Sequence, residues 1–183
     1  MAWFKRESGD LDPTGEKRVR TEGLWVKCDR CRQIIWKKDL DENFNVCPRC
    51  QRHFRIDARR RLEYLLDNNE YEVFDEKLTS TDPLHFVDVR AYGDRLRQAQ
   101  TETGLKDAVI NARGKLNGRD VVVSAMEYGF IGGSMGAVVG EAITRAIERA
   151  ASRREPLIIV SASGGARMME GVVSLMQLAK ISA

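Results

Sequence analysis

Four cysteines give the clearest chemical signal in this sequence. They are all the cysteines of the chain, and they are spaced Cys-x2-Cys-x15-Cys-x2-Cys at Cys28, Cys31, Cys47 and Cys50. Each close pair can direct two sulfurs toward one point, and this spacing is typical of a tetrathiolate zinc site. Four protein ligands leave no open coordination position, so the predicted zinc ion is structural and not a Lewis acid. Disulfides or scattered buried thiols are the competing interpretations.

A glycine-rich segment is the second candidate for chemistry. Residues 163–167 read Ser-Gly-Gly-Ala-Arg, between an apolar stretch and a predicted helix start. Gly164 and Gly165 would let a ligand approach unpaired backbone N–H groups without a Cβ in the way. The partial positive charge of a helix N-terminus favours an oxyanion or a phosphate, and Arg167 would add a full charge. A turn that simply packs strand against helix remains equally compatible with this pattern.

A second glycine pair, Gly132 and Gly133, lies in a turn of the same form at residues 131–136. No basic residue accompanies it, and close packing of a helix on a strand explains small residues there at least as well as ligand binding. Neither turn is a Walker A loop, and neither matches the dinucleotide fingerprint Gly-x-Gly-x-x-Gly.

Hydrolase chemistry of the Ser-His-Asp or Cys-His type is poorly supported. The chain has only two histidines, of which His53 follows the last cysteine and His85 lies in a segment without regular pattern. No cysteine remains outside the metal spacing to act as a nucleophile. Chemistry in this chain would therefore rest on backbone amides, on Arg or Lys, or on a group that the substrate brings.

Alternating strand and helix signals surround the glycine turns. The dipeptide Asn117-Gly118 is a strong hairpin signal between two apolar strands. The unbroken run Leu-Ile-Ile-Val is typical of a buried parallel strand, and the apolar stripe that precedes it indicates an amphipathic helix. The C-terminal part is thus predicted to run strand, strand, helix, strand, helix, at residues 108–112, 121–125, 137–151, 157–160 and from about 168 onward.

The N-terminal part is predicted to be a small metal-held module with a connector. The fifteen residues between the cysteine pairs are long enough to fold back as a short β-hairpin. A helix over residues 58–67, capped by Asp57, and another near residues 90–103 should follow, with an irregular segment over 70–89. The predicted division is a flexible arm, a zinc ribbon, a helical connecting segment and an α/β domain, at residues 1–23, 24–56, 57–106 and 107–183.

Composition limits the possible classes. The net charge of the 183 residues is +3, but residues 27–61 carry 11 basic against 5 acidic side chains. Such a basic segment can meet phosphate, in nucleic acid or in a phosphorylated cofactor. No apolar run approaches the roughly 20 residues of a membrane span, and the polar N-terminus lacks the pattern of a signal peptide. With all cysteines in metal spacing, we expect a reducing cytoplasm and no membrane partner.

The motifs together resemble a known family. A four-cysteine ribbon followed by Phe-Ile-Gly-Gly-Ser-Met-Gly at residues 130–136 and Ser-Ala-Ser-Gly-Gly-Ala-Arg-Met at residues 161–168 is similar to the carboxyltransferase β subunits of bacterial and plastid acetyl-CoA carboxylases. The similarity extends over essentially the whole chain from Trp3. It implies an α/β fold of the crotonase-like ββα spiral type behind an N-terminal zinc ribbon, in the bacterial cytoplasm or the plastid stroma.

The resemblance also implies an activity. Members transfer a carboxyl group from carboxybiotin, held on the biotin carboxyl carrier protein, to acetyl-CoA, giving malonyl-CoA for fatty-acid synthesis. Backbone amides stabilise an enolate oxygen of the thioester in this superfamily. By resemblance Gly164 and Gly165 line the acyl-CoA pocket as catalytic residues, Gly132 and Gly133 support it, and Arg167 positions it. The implied partners are the carboxyltransferase α subunit, in an α2β2 assembly, the carrier protein and biotin carboxylase.

The family pattern continues beyond the position of Ala183, with a further Gly-Gly turn that supplies amides to the oxyanion hole. On this basis the chain is expected to be a truncated form, with an incomplete spiral, that is inactive alone. Two other functions compete. The basic ribbon, with its interleaved aromatic residues, could bind nucleic acid, or it could cover the CoA site as a lid and meet the nucleotide phosphates.

Overall fold

The computed structural model describes residues 23–183. Residues 1–22, which make up nearly all of the predicted flexible arm, lie outside the described residues. The chain divides into two compact units between Phe54 and Arg55. None of the helices in the described part combines the length and apolar character that crossing a bilayer demands.

The described part of the first unit, residues 23–54, is a small two-stranded ribbon with one helix. Strand β1 (Trp25–Lys27) pairs antiparallel with β2 (Ile34–Trp36), and helix α1 (Lys37–Glu42) follows directly. The prediction that the segment between the cysteine pairs forms a β-hairpin is wrong, because α1 occupies its centre. Its Lys, Asp, Leu and Glu residues are compatible with a helix, and Leu40 turns inward to join Ile35 and two of the cysteines in the core.

A four-stranded sheet organises the second unit, residues 55–183. The spatial order is β3-β4-β5-β6, in which the first two pairings are antiparallel and the pairing of β5 with β6 is parallel. The strands are Tyr71–Phe74, Val109–Leu116, Arg119–Met126 and Leu157–Val160. Strand β3 lies in the segment predicted to be irregular, so that prediction is wrong for these four residues.

The hairpin between β4 and β5 confirms the Asn-Gly signal. Asn117 and Gly118 have φ values of 51° and 77°, as a two-residue turn of type I′ requires. The carboxylate of Asp67 accepts hydrogen bonds from both of their backbone N–H groups, at 3.0 and 2.8 Å. A residue fifty positions upstream therefore ties the hairpin to the body of the unit.

Four helices complete the second unit. They are α2 (Ala58–Leu65), α3 (Tyr92–Thr103), α4 (Ala137–Arg153) and α5 (Val172–Ser182). The predicted cap of α2 is confirmed, since the Asp57 side chain accepts from the backbone N–H of Arg60 at 2.7 Å. The last helix begins later than predicted, because a 3-10 turn at Met168–Glu170 and the left-handed Gly171 (φ 59°) precede it.

The long helix α4 links the fold to the site. It begins directly after the first glycine turn and packs against β4 and β5. Its buried residues, Val139, Ile143, Ala146 and Ala150 among them, follow the predicted apolar stripe. The chain then returns through β6, which ends at the second glycine turn, so that both turns lie in the same loop region of the sheet.

Candidate functional sites: a thiolate centre and paired glycine turns

Two backbone knuckles of the same construction hold the cysteines. In the first, the N–H of Cys28 donates to the carbonyl of Gln33 at 2.9 Å, and the carbonyl of Cys28 accepts from Arg32 at 2.8 Å. The same two bonds recur at Cys47, with Arg52 and Gln51 as partners. In each knuckle the fourth residue after the cysteine, Arg32 or Gln51, adopts a left-handed φ near 60°. The sequence therefore folds locally so that each pair of thiols points to one place.

The four sulfurs have the geometry of a zinc site. All four Sγ atoms lie within 4.8 Å of one another, and the Sγ atoms of Cys28 and Cys50, and of Cys31 and Cys47, are each 3.7 Å apart. A tetrahedron with Zn–S bonds of about 2.3 Å has edges of about 3.8 Å, whereas a disulfide needs about 2.05 Å. The residues therefore fit one structural zinc ion with a closed ligand shell, as predicted.

The thiols differ in acidity. The backbone amide of Cys31 hydrogen-bonds the Cys28 thiol and lowers its pKa to about 7, while burial raises the pKa of the Cys50 thiol to about 11. Without the charge of a metal ion, the four groups would not all be thiolates at neutral pH. Zinc binding is therefore coupled to proton release and to the folding of this unit.

The two glycine turns are hydrogen-bonded to each other. The N–H of Gly164 donates to the carbonyl of Gly132 at 2.9 Å, and the N–H of Met135 donates to the carbonyl of Gly165 at 2.8 Å. The N–H of Arg167 then donates to the carbonyl of Met135 at 2.9 Å. The structure thus brings together the two glycine pairs that the sequence separates by about thirty residues, and each turn fixes the backbone of the other.

Close approach explains why Gly133 is a glycine. Its φ is 65°, and a Cβ at this position would lie well inside 3.0 Å of the Ala162 carbonyl oxygen, where a real Cβ is essentially never found. Gly132 has the same φ but open space where its Cβ would be. The packing explanation for this pair is therefore correct at Gly133, and what Gly133 packs against is the other candidate turn.

The second turn is exposed and has one amide that a ligand could reach. Gly164 and Gly165 are both exposed, but the Gly164 amide is already bonded to the other turn. The amide of Gly165 donates only to the nearby Ser163 hydroxyl, at 3.0 Å. A hydroxyl can rotate away and be replaced by a ligand oxygen. Gly165, with a φ of 113° that side chains rarely adopt, is therefore the stronger candidate for contact with a substrate.

Arg167 lies behind the turns and is completely buried. Its guanidinium donates to oxygen atoms of five residues: Ser80, Tyr92, Asp107, Ser134 and Glu170. The tightest pairing is with Asp107, whose two carboxylate oxygens lie 2.6 and 3.1 Å from the guanidinium nitrogens. Its charge is paired with buried carboxylates and does not face solvent, so Arg167 can hold the turns in place but cannot contact a ligand directly. The role of Arg167 in an acyl-CoA pocket stays a prediction.

Burial acts in opposite senses on Arg167 and Tyr92, but the pKa of each ends above its usual value. Burial works to lower the pKa of Arg167, but the hydrogen bond and the negative charge of Asp107 outweigh it and hold that pKa above its usual value. Burial raises the pKa of Tyr92. Arg167 is therefore a permanent cation and Tyr92 a neutral hydroxyl at any physiological pH.

Sequence reasoning missed the residues that hold Arg167. Asp107 and Tyr92 lie 60 and 75 positions away from it, and nothing in their local patterns singles them out. Glu170 was accessible in principle, because a carboxylate three residues after an arginine can pair with it on a helix. That spacing predicts a solvent-exposed pair, however, and the observed pair is buried.

The site and the fold define an α/β domain with paired glycine turns and a separate tetrathiolate ribbon. Residues 59–183 match the family described as carboxyl transferase domain, and residues 25–50 match the acetyl-CoA carboxylase zinc finger domain. The chain therefore belongs to the carboxyl transferase domain family.

Curated relatives agree over the whole chain. It is 50% identical to the acetyl-coenzyme A carboxylase carboxyl transferase subunit beta of Citrifermentans bemidjiense and 49% identical to that of Chlorobaculum tepidum, over 100% of this chain. It covers 65% and 66% of those two proteins, and so spans slightly less than two thirds of their length. The resemblance stated from the motifs is confirmed.

Solved structures agree on the fold. Transcarboxylase 12S with hydrolysed methylmalonyl-coenzyme A superimposes with a TM-score of 0.55 at 25% identity, over 68% of this chain and 22% of that one. A Pseudomonas malonate decarboxylase hetero-tetramer in complex with malonate gives 0.52 at 28% identity, over 69% and 44%. The crotonase-like α/β fold expected from the resemblance is confirmed.

Proposed function

We propose that the protein carrying this chain is the β subunit of an acetyl-CoA carboxylase carboxyltransferase. It would transfer a carboxyl group from carboxybiotin to acetyl-CoA and give malonyl-CoA, the first committed step of fatty-acid synthesis. The observation that carries the proposal is the pair of hydrogen-bonded glycine turns, in a chain whose relatives bear that name. The second turn offers one backbone donor, the Gly165 amide, at a fixed position, and thioester enolate chemistry uses such a donor.

Each residue of the two turns has its own role in the proposed reaction. The Gly165 amide would donate to the thioester oxygen of acetyl-CoA as negative charge develops there, after the Ser163 hydroxyl rotates away. Gly164 would hold this amide in place through its bond to Gly132, and Gly133 would allow the two turns to approach. Arg167 would support the turn from behind. A preorganised donor of this kind is typically worth about 10²–10³ in kcat.

The proposed reaction also needs cofactors and partner proteins. Biotin, supplied on the carrier protein, provides the carboxyl group when it is bound, and zinc holds the ribbon. We infer partners in the carboxyltransferase α subunit, as an α2β2 assembly, the biotin carboxyl carrier protein and biotin carboxylase. An exposed apolar face on α5 and just before it supports a larger assembly, since it comprises Met168, Val172, Val173, Leu175, Met176 and Leu178. A thiolate metal site fits a reducing cytoplasm.

The test is transfer of a labelled carboxyl group. The natural full-length protein would be combined with its α subunit, labelled carboxybiotin and acetyl-CoA, and labelled malonyl-CoA would be measured. We expect turnover that depends on both subunits, and no transfer by residues 1–183 alone. A complex that assembles but transfers no label from carboxybiotin would refute the proposal.

Nucleic-acid binding by the ribbon is not favoured, because the ribbon matches a zinc finger domain of acetyl-CoA carboxylase. The suggestion that the ribbon covers the CoA site stays a prediction. It is tested by deleting residues 1–56 from the full-length protein and measuring CoA affinity. A lid predicts weaker binding, and an unrelated role predicts no change.

A further inference from the structure

We propose that Glu170 is a positioning residue, which sets the geometry of the second glycine turn by joining it to the N-terminus of α4 and to Tyr92. The inference rests on the proposed function, because positioning is defined by the reaction at that turn. Glu170 does not reach solvent where a ligand could meet it, since only 5% of the residue is exposed. Its effect must therefore pass through the groups that it holds.

The carboxylate of Glu170 lies among groups from two helices and two loops of the second unit. One oxygen, Oε2, accepts from the backbone N–H of Ala137, the first residue of α4, at 2.6 Å. The other, Oε1, accepts from the Tyr92 hydroxyl at 2.5 Å and lies 3.1 Å from the Ser80 oxygen, whose proton faces Asp107 at 2.6 Å. Oε1 also lies 3.3 Å from a guanidinium nitrogen of Arg167. Both oxygens are thus engaged, and each in a different direction.

The backbone is shaped to admit this carboxylate. A Cβ on Gly136, the residue that precedes α4, would overlap the Glu170 carboxylate, with all three nearest atoms well inside 3.0 Å. Gly136 has an extended backbone conformation that any residue can adopt. The lack of space for a Cβ is therefore what requires glycine at this position. The last glycine of the first turn region is therefore explained by Glu170, and not by the glycine pair that it follows.

Two buried carboxylates, Asp107 and Glu170, flank the Arg167 guanidinium. Asp107 neutralises Arg167 through two hydrogen bonds, which leaves Glu170 as a second buried carboxylate beside one cation. Its Oε2 atom lies at the N-terminus of α4, a helix of 17 residues, where the helix dipole favours an anion. The carboxylate thus couples the position of this helix end to the position of the Arg167 guanidinium.

Arg167 links the position of Glu170 to the backbone of both glycine turns. Its own backbone and side chain bind the first turn through Met135 and Ser134, and it stands two residues after Gly165. A shift of Glu170 would therefore move both turns together. Because misplacement of a reacting group by about 1 Å can cost about 10²-fold in rate, the expected effect falls on catalysis more than on substrate binding.

The test uses Glu170→Gln in the full-length protein assembled with its α subunit. Glutamine keeps the volume but its amide nitrogen cannot accept a hydrogen bond, so either Ala137 or Tyr92 loses its acceptor. We expect kcat to fall by roughly 10²-fold with KM for acetyl-CoA changed by less than about threefold. Hydrogen exchange should become roughly tenfold faster or more at the amides of residues 163–168, as expected for one lost charge-assisted bond.

Asp67→Asn is the matched control, because Asp67 also accepts two backbone amides, but at the β4–β5 hairpin. It should lower stability without changing kcat or exchange at residues 163–168. Wild-type kcat in Glu170→Gln, or an equal loss of kcat in both variants, would overturn the inference. If Glu170→Gln does not fold, Tyr92→Phe removes one partner of the same carboxylate: a reduced kcat at constant KM supports the inference and an unchanged kcat overturns it. An inactive wild-type complex would instead refute the proposed function.

Discussion

Replacing Gly133 with alanine should destabilise the second unit far more than the same change at Gly132. Both residues have a φ of 65°, so both substitutions place an alanine in the left-handed region, at a cost of about 1–2 kcal/mol. At Gly133 the new Cβ would also overlap the Ala162 carbonyl oxygen, and forcing atoms into a packed site adds about 1–3 kcal/mol. We therefore expect a loss of about 2–5 kcal/mol in Gly133→Ala and of about 1–2 kcal/mol in Gly132→Ala.

Urea unfolding of the two variants and the wild type measures the difference. A lower urea midpoint with an unchanged m value would show that the substitution changes the free energy of unfolding and not the compactness of either state. Because Gly132 and Gly133 are adjacent and share one φ, their difference isolates the approach of the two turns. Equal destabilisation by both substitutions would show that the turns are not in contact, and the site described above would lose its basis.

Three further predictions concern other parts of the chain. Asp57→Ala should destabilise the second unit by about 1 kcal/mol, since it removes the cap of α2, and thermal unfolding would register this. Chelation of zinc should abolish the near-ultraviolet circular dichroism of the ribbon, residues 23–54, and an unchanged signal would refute a structural ion. The Glu155 carboxyl, whose pKa is lowered by its hydrogen bonds with Arg113, should stabilise the fold above its unfolded pKa of about 4.3 and lose this contribution as pH falls through the lower folded value. Glu155→Gln should flatten that part of the pH–stability curve, whereas an unaltered slope would contradict the pairing.

Features encoded by local spacing could be predicted from sequence. The metal ligands follow from two Cys-x2-Cys pairs, because each knuckle is formed by backbone bonds within six residues. The β4–β5 hairpin follows from Asn117-Gly118, since few other dipeptides accept two left-handed residues in a row. The parallel strand at 157–160 and the stripe of α4 likewise depend on residues that are neighbours in the chain. The predicted burial of that strand is wrong, because β6 lies at the edge of the sheet and Ile159 is exposed.

Features created by distant contacts could not be predicted. Strand β3 is four residues long and becomes a strand by pairing with β4 some forty positions later, so its own pattern is too short to reveal it. Helix α1 is six residues long, so its pattern is too short to separate a helix from the hairpin that the cysteine spacing also allows. The function of Glu170 depends on Ala137 and Tyr92, 33 and 78 positions away, and no periodicity encodes such a meeting.

The most direct test of the central claim compares alanine substitutions at Gly165 and Gly118 in the assembled full-length protein. Both glycines have positive φ and open space around a new Cβ, but only Gly165 lies in the turn where we place the thioester oxygen. We predict that Gly165→Ala lowers kcat for carboxyl transfer to acetyl-CoA by about 10²-fold or more, while Gly118→Ala retains wild-type kcat. A folded Gly165→Ala protein with the kcat of Gly118→Ala would contradict the account.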